Sequence, residues 1–152
     1  MKKLFALILT VAMLLSLSVT AFAVNTTGGE ADITTSIAPT YTVTIPADVN
    51  VQFNATETAF GTIEVTASQI HPDKCIKVAL TTDNELNNAI DNTKVIPYAI
   101  KDSEGAEFTS ATYLTEGDKT ELSIHITASE WNAAYAGDYS DTVTFTVSYE
   151  DK

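Results

Sequence analysis

The feature that most constrains the fold is a strict alternation of apolar and polar residues near the C-terminus. From Val143 to Tyr149 every second residue is apolar, and hydroxyl residues fill the positions between them. A period of two is typical of a β-strand that buries one face and exposes the other. The pattern therefore predicts a core strand of a β-domain.

A turn precedes this strand, in the sequence Ala136-Gly137-Asp138-Tyr139. Gly137 suits a change of chain direction, and Tyr139 shares the phase of the apolar residues that follow it. A tyrosine in this position can bury its ring at a sheet corner and return its hydroxyl to an upstream backbone group, as in immunoglobulin-like sandwiches. We therefore predict structural roles for Gly137 and Tyr139.

The period of two recurs along most of the chain. Predicted strands lie in residues 31–45, 49–53, 60–65, 76–80, 94–101 and 120–127. Residues 81–88 are rich in Asn and Asp and predict a loop, whereas residues 128–134 favour a single helical turn. Pro97 cannot donate to a strand ladder, so its strand should lie at an edge or carry a bulge. These segments favour seven to nine short strands in an all-β, single antiparallel Greek-key β-sandwich of the immunoglobulin-like type.

The N-terminus has the organisation of an export signal. Lys2 and Lys3 precede a short apolar run, which ends in the small-x-small sequence Ala21-Phe22-Ala23. We predict a signal peptide over residues 1–23, a flexible lead over residues 24–30 and a β-sandwich domain over residues 31–152, so that the mature protein is secreted. A retained N-terminal membrane anchor is the alternative, although the run is short for a bilayer span.

Charge and cysteine content exclude several classes of function. Without Lys2 and Lys3 the six remaining lysines face 20 acidic residues, which gives a net charge of −14. Such a surface repels phosphate backbones and anionic lipids, so we expect neither nucleic-acid binding nor membrane insertion after signal cleavage. Cys75 is the only cysteine, so the chain has no internal disulfide, and the role of Cys75 is left open.

Residues suited to catalysis or metal binding are few. His71 and His125 are the only histidines, and neither lies in a nucleophile, zinc or dyad motif, so we predict no catalytic residues, no cofactor and no enzyme activity. Asp102, Glu104 and Glu107 surround a glycine and are the candidates for calcium. Their spacing lacks ligands that a calcium loop needs, and a solvated β-turn is favoured.

Exposed aromatic residues would indicate carbohydrate binding. Tyr113, Trp131 and Tyr135 are predicted to lie in or near loops and are the ligand-binding candidates. A carbohydrate-binding module or weak glycosidase that uses Trp131 and the acidic loops is therefore one functional alternative. Core packing of Trp131 is the competing interpretation.

Residues 136–149 resemble a known motif. Their sequence is similar to the C-terminal Ala-Gly-x-Tyr-x-Asp-Thr-Val pattern of spore coat protein U-like and related pilin-type secreted bacterial surface domains, and Phe60-Gly61 and Ile96-Pro97-Tyr98 also fit. The resemblance implies an immunoglobulin-like fold, export, and a non-enzymatic role as an adhesin, a fimbrial subunit or another surface component. Its implied partners are surface or extracellular proteins or glycans.

Extracellular assembly by strand addition would need a donor strand. The segment 31–37 alternates, carries Ile33 and Ile37 in one phase and follows a flexible Gly-Gly lead. Such a segment could complete the sandwich of a neighbouring copy. The alternative is that it forms the first strand of its own domain.

Overall fold

The computed structural model describes residues 30–152, and the regular secondary structure of these residues is almost all β-strand. The predicted signal peptide and residues 24–29 of the lead lie outside the described residues. Ten strands and one helix of six residues occur in the described part of the chain, in this order: β1 Thr40–Thr44, β2 Glu57–Gln69, β3 Lys74–Thr81, β4 Glu85–Asn88, β5 Val95–Pro97, β6 Ala99–Asp102, β7 Ser110–Tyr113, β8 Lys119–His125, α1 Ala128–Ala133, β9 Tyr139–Ser140 and β10 Thr144–Asp151. All of them lie within Ser36–Lys152, which forms one compact unit.

The strands form three antiparallel sheets. The largest sheet has the order β1-β2-β8-β6, the second has the order β10-β3-β7, and the third has the order β5-β4-β9. Their buried side chains form one core cluster. This arrangement confirms the prediction of an all-β, antiparallel, sandwich-like fold, with one strand more than the predicted range.

The core follows the alternation of the sequence. In β2, Ile63 and Val65 are fully buried, and in β3 so are Ile76 and Val78. Burying an aliphatic side chain of this size stabilises a fold by about 1.5–3 kcal/mol. Because residues of the same phase share a face, each strand contributes its side chains as a row, and the rows from different sheets meet in the core.

A capping box fixes the start of the helix α1. Thr127 accepts a hydrogen bond from the Glu130 backbone, and the Glu130 side chain accepts one from the Thr127 backbone, which together form a capping box. The predicted helical turn over residues 128–134 is thus confirmed. Trp131 is the buried residue of this helix.

The strand β10 differs from the prediction of a core strand, because it lies at the edge of its sheet. It pairs with β3 on one side, from Thr144 opposite Thr81 to Asp151 opposite Lys74. No other described strand pairs with its second side. With one neighbour only, its apolar face is covered in part, and Val147 keeps 38% of its surface exposed.

Four other segments also differ from their predictions. Residues 31–39 and 49–53 contain no strand, although both alternate, because a period of two fixes which side chains share a face and supplies no pairing partner. Residues 85–88 of the predicted loop form the strand β4. Asn84, just before β4, has a positive φ, which allows the chain to change direction after β3. The segment 94–101 divides after Pro97 into β5 and β6, which belong to different sheets. The predicted edge position of Pro97 is confirmed, since β5 is an edge strand.

Candidate functional site

The predicted exposed aromatic group is not formed, because two of its three members are buried. Tyr113 lies in β7 with 3% of its surface exposed, and its hydroxyl donates to Thr120 Oγ1 at 2.8 Å. Burial raises the pKa of the Tyr113 hydroxyl above its ordinary value. The predicted exposure of Tyr113 is therefore wrong, since its ring is part of the core and its polar end is already satisfied.

Trp131 is also a core residue, with 9% of its surface exposed. Its indole Nε1 donates to the backbone oxygen of Ala55 at 2.8 Å, so the polar group of the ring is used within the fold. The ring of Phe53 meets it edge to face at a centroid distance of 5.6 Å. Trp131 therefore supports Phe53, which the sequence did not identify as a candidate and which is 75% exposed.

A groove opens beside the free side of β10, and we call it the edge groove. It is a cavity of about 680 Å³ that reaches the core residues Ile100 and Ile124. Apolar side chains from three parts of the chain line its walls: Ile45, Val49, Val51, Phe60, Val143 and Phe145. Such an open apolar groove, continuous with the core, indicates that the core of the sandwich is incompletely covered at this point.

One wall of the edge groove is an extended segment without a strand partner. Residues 46–51 make no backbone hydrogen bond to any residue that the structure describes. Pro46 holds the start of this segment against Gly61, where a Cβ atom would lie 3.1 Å from the Pro46 Cβ. Gly61 also has a φ of +139°, which favours glycine, and it lies at a bulge of β2. A larger residue at Gly61 would displace the wall.

Asp141 is a carboxylate in the lining of the edge groove, and it lies between the end of β9 and the start of β10. Its Oδ2 accepts hydrogen bonds from the Tyr98 hydroxyl and, at 3.2 Å, from Thr82 Oγ1. Burial, followed by the hydrogen bond to Asp141, raises the pKa of Tyr98 far above its ordinary value. Tyr98 therefore remains a neutral donor, and this network fixes the end of the groove.

A second groove adjoins the first, and we call it the aromatic groove. It is a cavity of about 1020 Å³ between residues 49–53 and residues 131–141, and Leu86, Ile96 and Trp131 lie in its lining. Phe53 and Tyr135 are its exposed rings, with 75% and 64% of their surfaces accessible. The Lys94 ammonium lies 5.1 Å from the centroid of the Tyr135 ring, within cation–π range.

Tyr139 fixes the turn that carries Tyr135. The Tyr139 hydroxyl donates to the backbone oxygen of Tyr135 at 3.0 Å and accepts from its backbone nitrogen at 3.2 Å. Tyr139 is half-buried and packs against the core. Gly137 has a φ of +146°, and a Cβ atom there would lie 2.6 Å from Asn88 Nδ2. Both residues therefore shape the rim of the aromatic groove.

The predicted donor residues are exposed. Ile33 has 99% of its surface accessible and Ile37 has 67%. Neither lies in a strand, so the alternative that this segment forms the first strand of its own domain is not what the structure contains.

The calcium candidates belong to a tight turn. Asp102 Oδ1 accepts hydrogen bonds from the backbone nitrogens of Glu104 at 2.9 Å and Ala106 at 3.0 Å, so this carboxylate is used by the turn itself. Within residues 30–152, no three His, Cys, Asp or Glu side chains lie close enough together to hold a metal ion. The solvated turn is therefore the structure of this segment.

The side chains of the two histidines hydrogen-bond to residues two positions away in the sequence. The ring of His71 bonds to the carboxylate of Asp73, and His125 Nε2 lies 2.9 Å from Ser123 Oγ.

The sole free thiol of the described chain, on Cys75, is buried at β3 and faces the Asp151 backbone oxygen at 3.7 Å. Helical structure of the length and hydropathy that a membrane span needs is not found in residues 30–152.

The chain is similar in structure to a solved protein, whereas the comparisons of its sequence find no match. No protein-family model matches the sequence, and no curated protein is similar to it. The chain is similar to a chain from a solved chaperone–tip adhesin complex, one that is vital for synergistic activation of CFA/I fimbriae biogenesis, with 10% identity and a TM-score of 0.46. The match covers 74% of this chain and 42% of the other, which is less than half of its length. The resemblance to spore coat protein U-like domains stays a prediction.

Proposed function

We propose that this chain is a secreted, non-enzymatic bacterial cell-surface protein, an adhesin- or pilin-like module whose copies assemble outside the cell by strand addition. The observation that carries the proposal is the free side of β10, which lies beside an open apolar groove that reaches the core. An unpaired strand edge next to uncovered core residues favours the addition of a further strand.

The N-terminal segment 31–37 of another copy is the proposed donor. Its seven residues would span about 23 Å as a strand, close to the length of the eight-residue β10. Ile33 and Ile37 lie in one phase and are exposed, so both would bury apolar surface when the segment pairs. The Gly-Gly lead that the sequence places before this segment is of a composition that would let it reach a neighbour.

The β10 backbone and the edge groove would contribute differently to the binding of a donor strand. Backbone hydrogen bonds from β10 would give affinity for any extended chain, whereas the edge groove would select for apolar side chains in the correct phase. Phe145 and Val147 are the β10 residues whose surface an added strand would cover, and the Ile45 side chain across the groove is also exposed. Association has to overcome repulsion between two acidic copies, so buried apolar area is its driving force.

Native mass spectrometry of the mature protein over a concentration series tests this proposal. We expect oligomers for the wild type, and we expect Ile33→Asp to remain monomeric, because the variant places a charge in the apolar groove. Thr34→Asp is the matched control, since it adds the same charge one position along in the other phase, and it should still associate. Equal association of all three proteins would show that Ile33 is not a donor residue. A monomeric wild type at high concentration would refute strand addition.

A further inference from the structure

Two aromatic rings at the rim of the aromatic groove are exposed yet held in place. Phe53 rests edge to face on the buried Trp131, and Lys94 lies over the ring of Tyr135. The backbone of Tyr135 is bound on both its nitrogen and its oxygen by the Tyr139 hydroxyl. The two rings are therefore positioned before a ligand arrives, which lowers the entropic cost of binding.

Four polar side chains of the same groove are not used by the fold. Asn50, Asn132, Asp138 and Ser140 line it, and none of their side chains makes a hydrogen bond within the described residues. Five other aspartates behave differently, because each accepts a hydrogen bond from its own turn: Asp83, Asp91, Asp102, Asp118 and Asp141. Asp138 is thus a carboxylate of the groove, beside exposed rings, whose oxygens accept no hydrogen bond from a described residue.

This combination matches the surface of a neutral pyranose. One face of such a sugar presents C–H groups that pack on an aromatic ring, and its rim presents hydroxyls that bond to amides, carboxylates and serine hydroxyls. Anionic sugars are disfavoured, because Asp138 and Asp141 line the groove and the whole chain has a net charge of −12. The volume of about 1020 Å³ is at the upper end of ordinary small-molecule sites, so it suits more than one sugar ring.

We propose that the aromatic groove is a binding site for a neutral oligosaccharide, with Tyr135 and Phe53 as stacking platforms and Asp138 as an acceptor for sugar hydroxyls. The inference goes beyond assembly and does not depend on it, because the residues that carry it lie outside β10 and outside the segment 31–37. It gives the protein a ligand as well as a partner.

A glycan array probed with the mature protein tests the site. The array carries neutral hexose and N-acetylhexosamine oligosaccharides together with sialylated and uronic-acid glycans. We expect binding to neutral glycans, and titration calorimetry with the best of them should show at least about a tenfold loss of affinity in Tyr135→Ala. Tyr135→Phe keeps the ring and should restore binding, which separates stacking from a structural effect.

Matched variants complete the experiment. Phe53→Ala and Asp138→Asn should each weaken binding, whereas Leu114→Ala removes an exposed apolar side chain that does not line the groove and should leave affinity unchanged. Thermal unfolding of every variant confirms that the fold is retained, which the exposure of these side chains favours. Binding only to anionic glycans, absence of binding to every glycan on the array, or wild-type affinity in both Tyr135→Ala and Phe53→Ala would overturn the inference.

Discussion

The Tyr139 hydroxyl stabilises the fold through a single pair of contacts to the Tyr135 backbone. Tyr139→Phe removes both hydrogen bonds and keeps the ring, so the free energy of unfolding should fall by about 1 kcal/mol. Urea denaturation measures this loss. Tyr135→Phe is the control, because its exposed hydroxyl makes no bond to a described residue, and it should be neutral. An unchanged midpoint for Tyr139→Phe would contradict the structural role of this tyrosine.

Asp118 makes the stability of the loop after β7 sensitive to acid. Its carboxylate accepts backbone hydrogen bonds from Leu114 at 2.7 Å and Thr115 at 2.9 Å, which lower the pKa of Asp118 below its ordinary value of 3.8. A lowered pKa in the folded state stabilises the fold above the ordinary value, and this contribution disappears as the pH falls through the lowered value.

Asp118→Asn should therefore be less stable than the wild type at pH 7, and the difference should shrink as the pH falls below 3.8. Denaturation of both proteins between pH 2 and pH 7 measures it. Glu116→Gln, in the same loop, is the control and should show no such trend, because Glu116 accepts no hydrogen bond from a described residue. A constant difference across this pH range would contradict the role given to the Asp118 carboxylate.

The burial of individual aromatic residues was the part that sequence could least predict. Tyr113 and Trp131 are buried through partners distant along the chain: β3 pairs with β7, and Ala55 accepts from the indole of Trp131. Tyr139 was predictable, since its partner lies four residues away and its phase is continuous with β10. Phe53 was missed as a site residue because the alternation of residues 49–53 predicts a strand, in which the Phe53 side chain would face the core.

At the scale of elements, the edge of β10 decides how copies could associate. Val147 lies near the middle of β10 and is partly exposed in the uncovered face. Val147→Lys places a charge where the donor strand would bury apolar side chains, so the dissociation constant of the oligomer should rise at least about tenfold. Sedimentation velocity over a concentration series measures this change.

Thr146→Lys is the matched control for that variant. Thr146 is exposed on the opposite face of the same edge strand, so a lysine there adds the same charge without entering the groove. Association should then stay close to that of the wild type. Equal weakening by both lysines would mean that charge on the edge, and not the apolar face of β10, controls association.

The faces and edges of strands were predicted well where the sequence of the strand itself determines them. The alternation of β2, β3, β8 and β10 gave the correct faces, and Pro97 gave the correct edge. Pairing was not predictable to the same degree: β4 forms from an Asn-rich segment because β5 and β9 pair with its two sides. Residues 49–53 have the alternation of a strand but lie over the core without a partner, and in this position they form walls of both grooves.

On the scale of the whole molecule, a strongly acidic chain presents an uncovered apolar groove. The net charge of −12 keeps copies apart at long range, whereas a matched strand and groove attract at contact. At 0.15 M salt, charges more than about 8 Å apart are largely screened, so association is expected under physiological conditions. Composition predicted the charge, but only the tertiary arrangement placed the groove beside a free strand edge.

The most direct test of strand addition between copies is complementation, measured by native mass spectrometry of a mixture. Ile33→Asp should lack a working donor but keep a working β10 edge, and Val147→Lys should lack a working β10 edge but keep its donor. Each variant alone should stay monomeric, and the mixture should form a one-to-one heterodimer and no larger species. A mixture that stays monomeric, or variants that each assemble alone as the wild type does, would contradict the account.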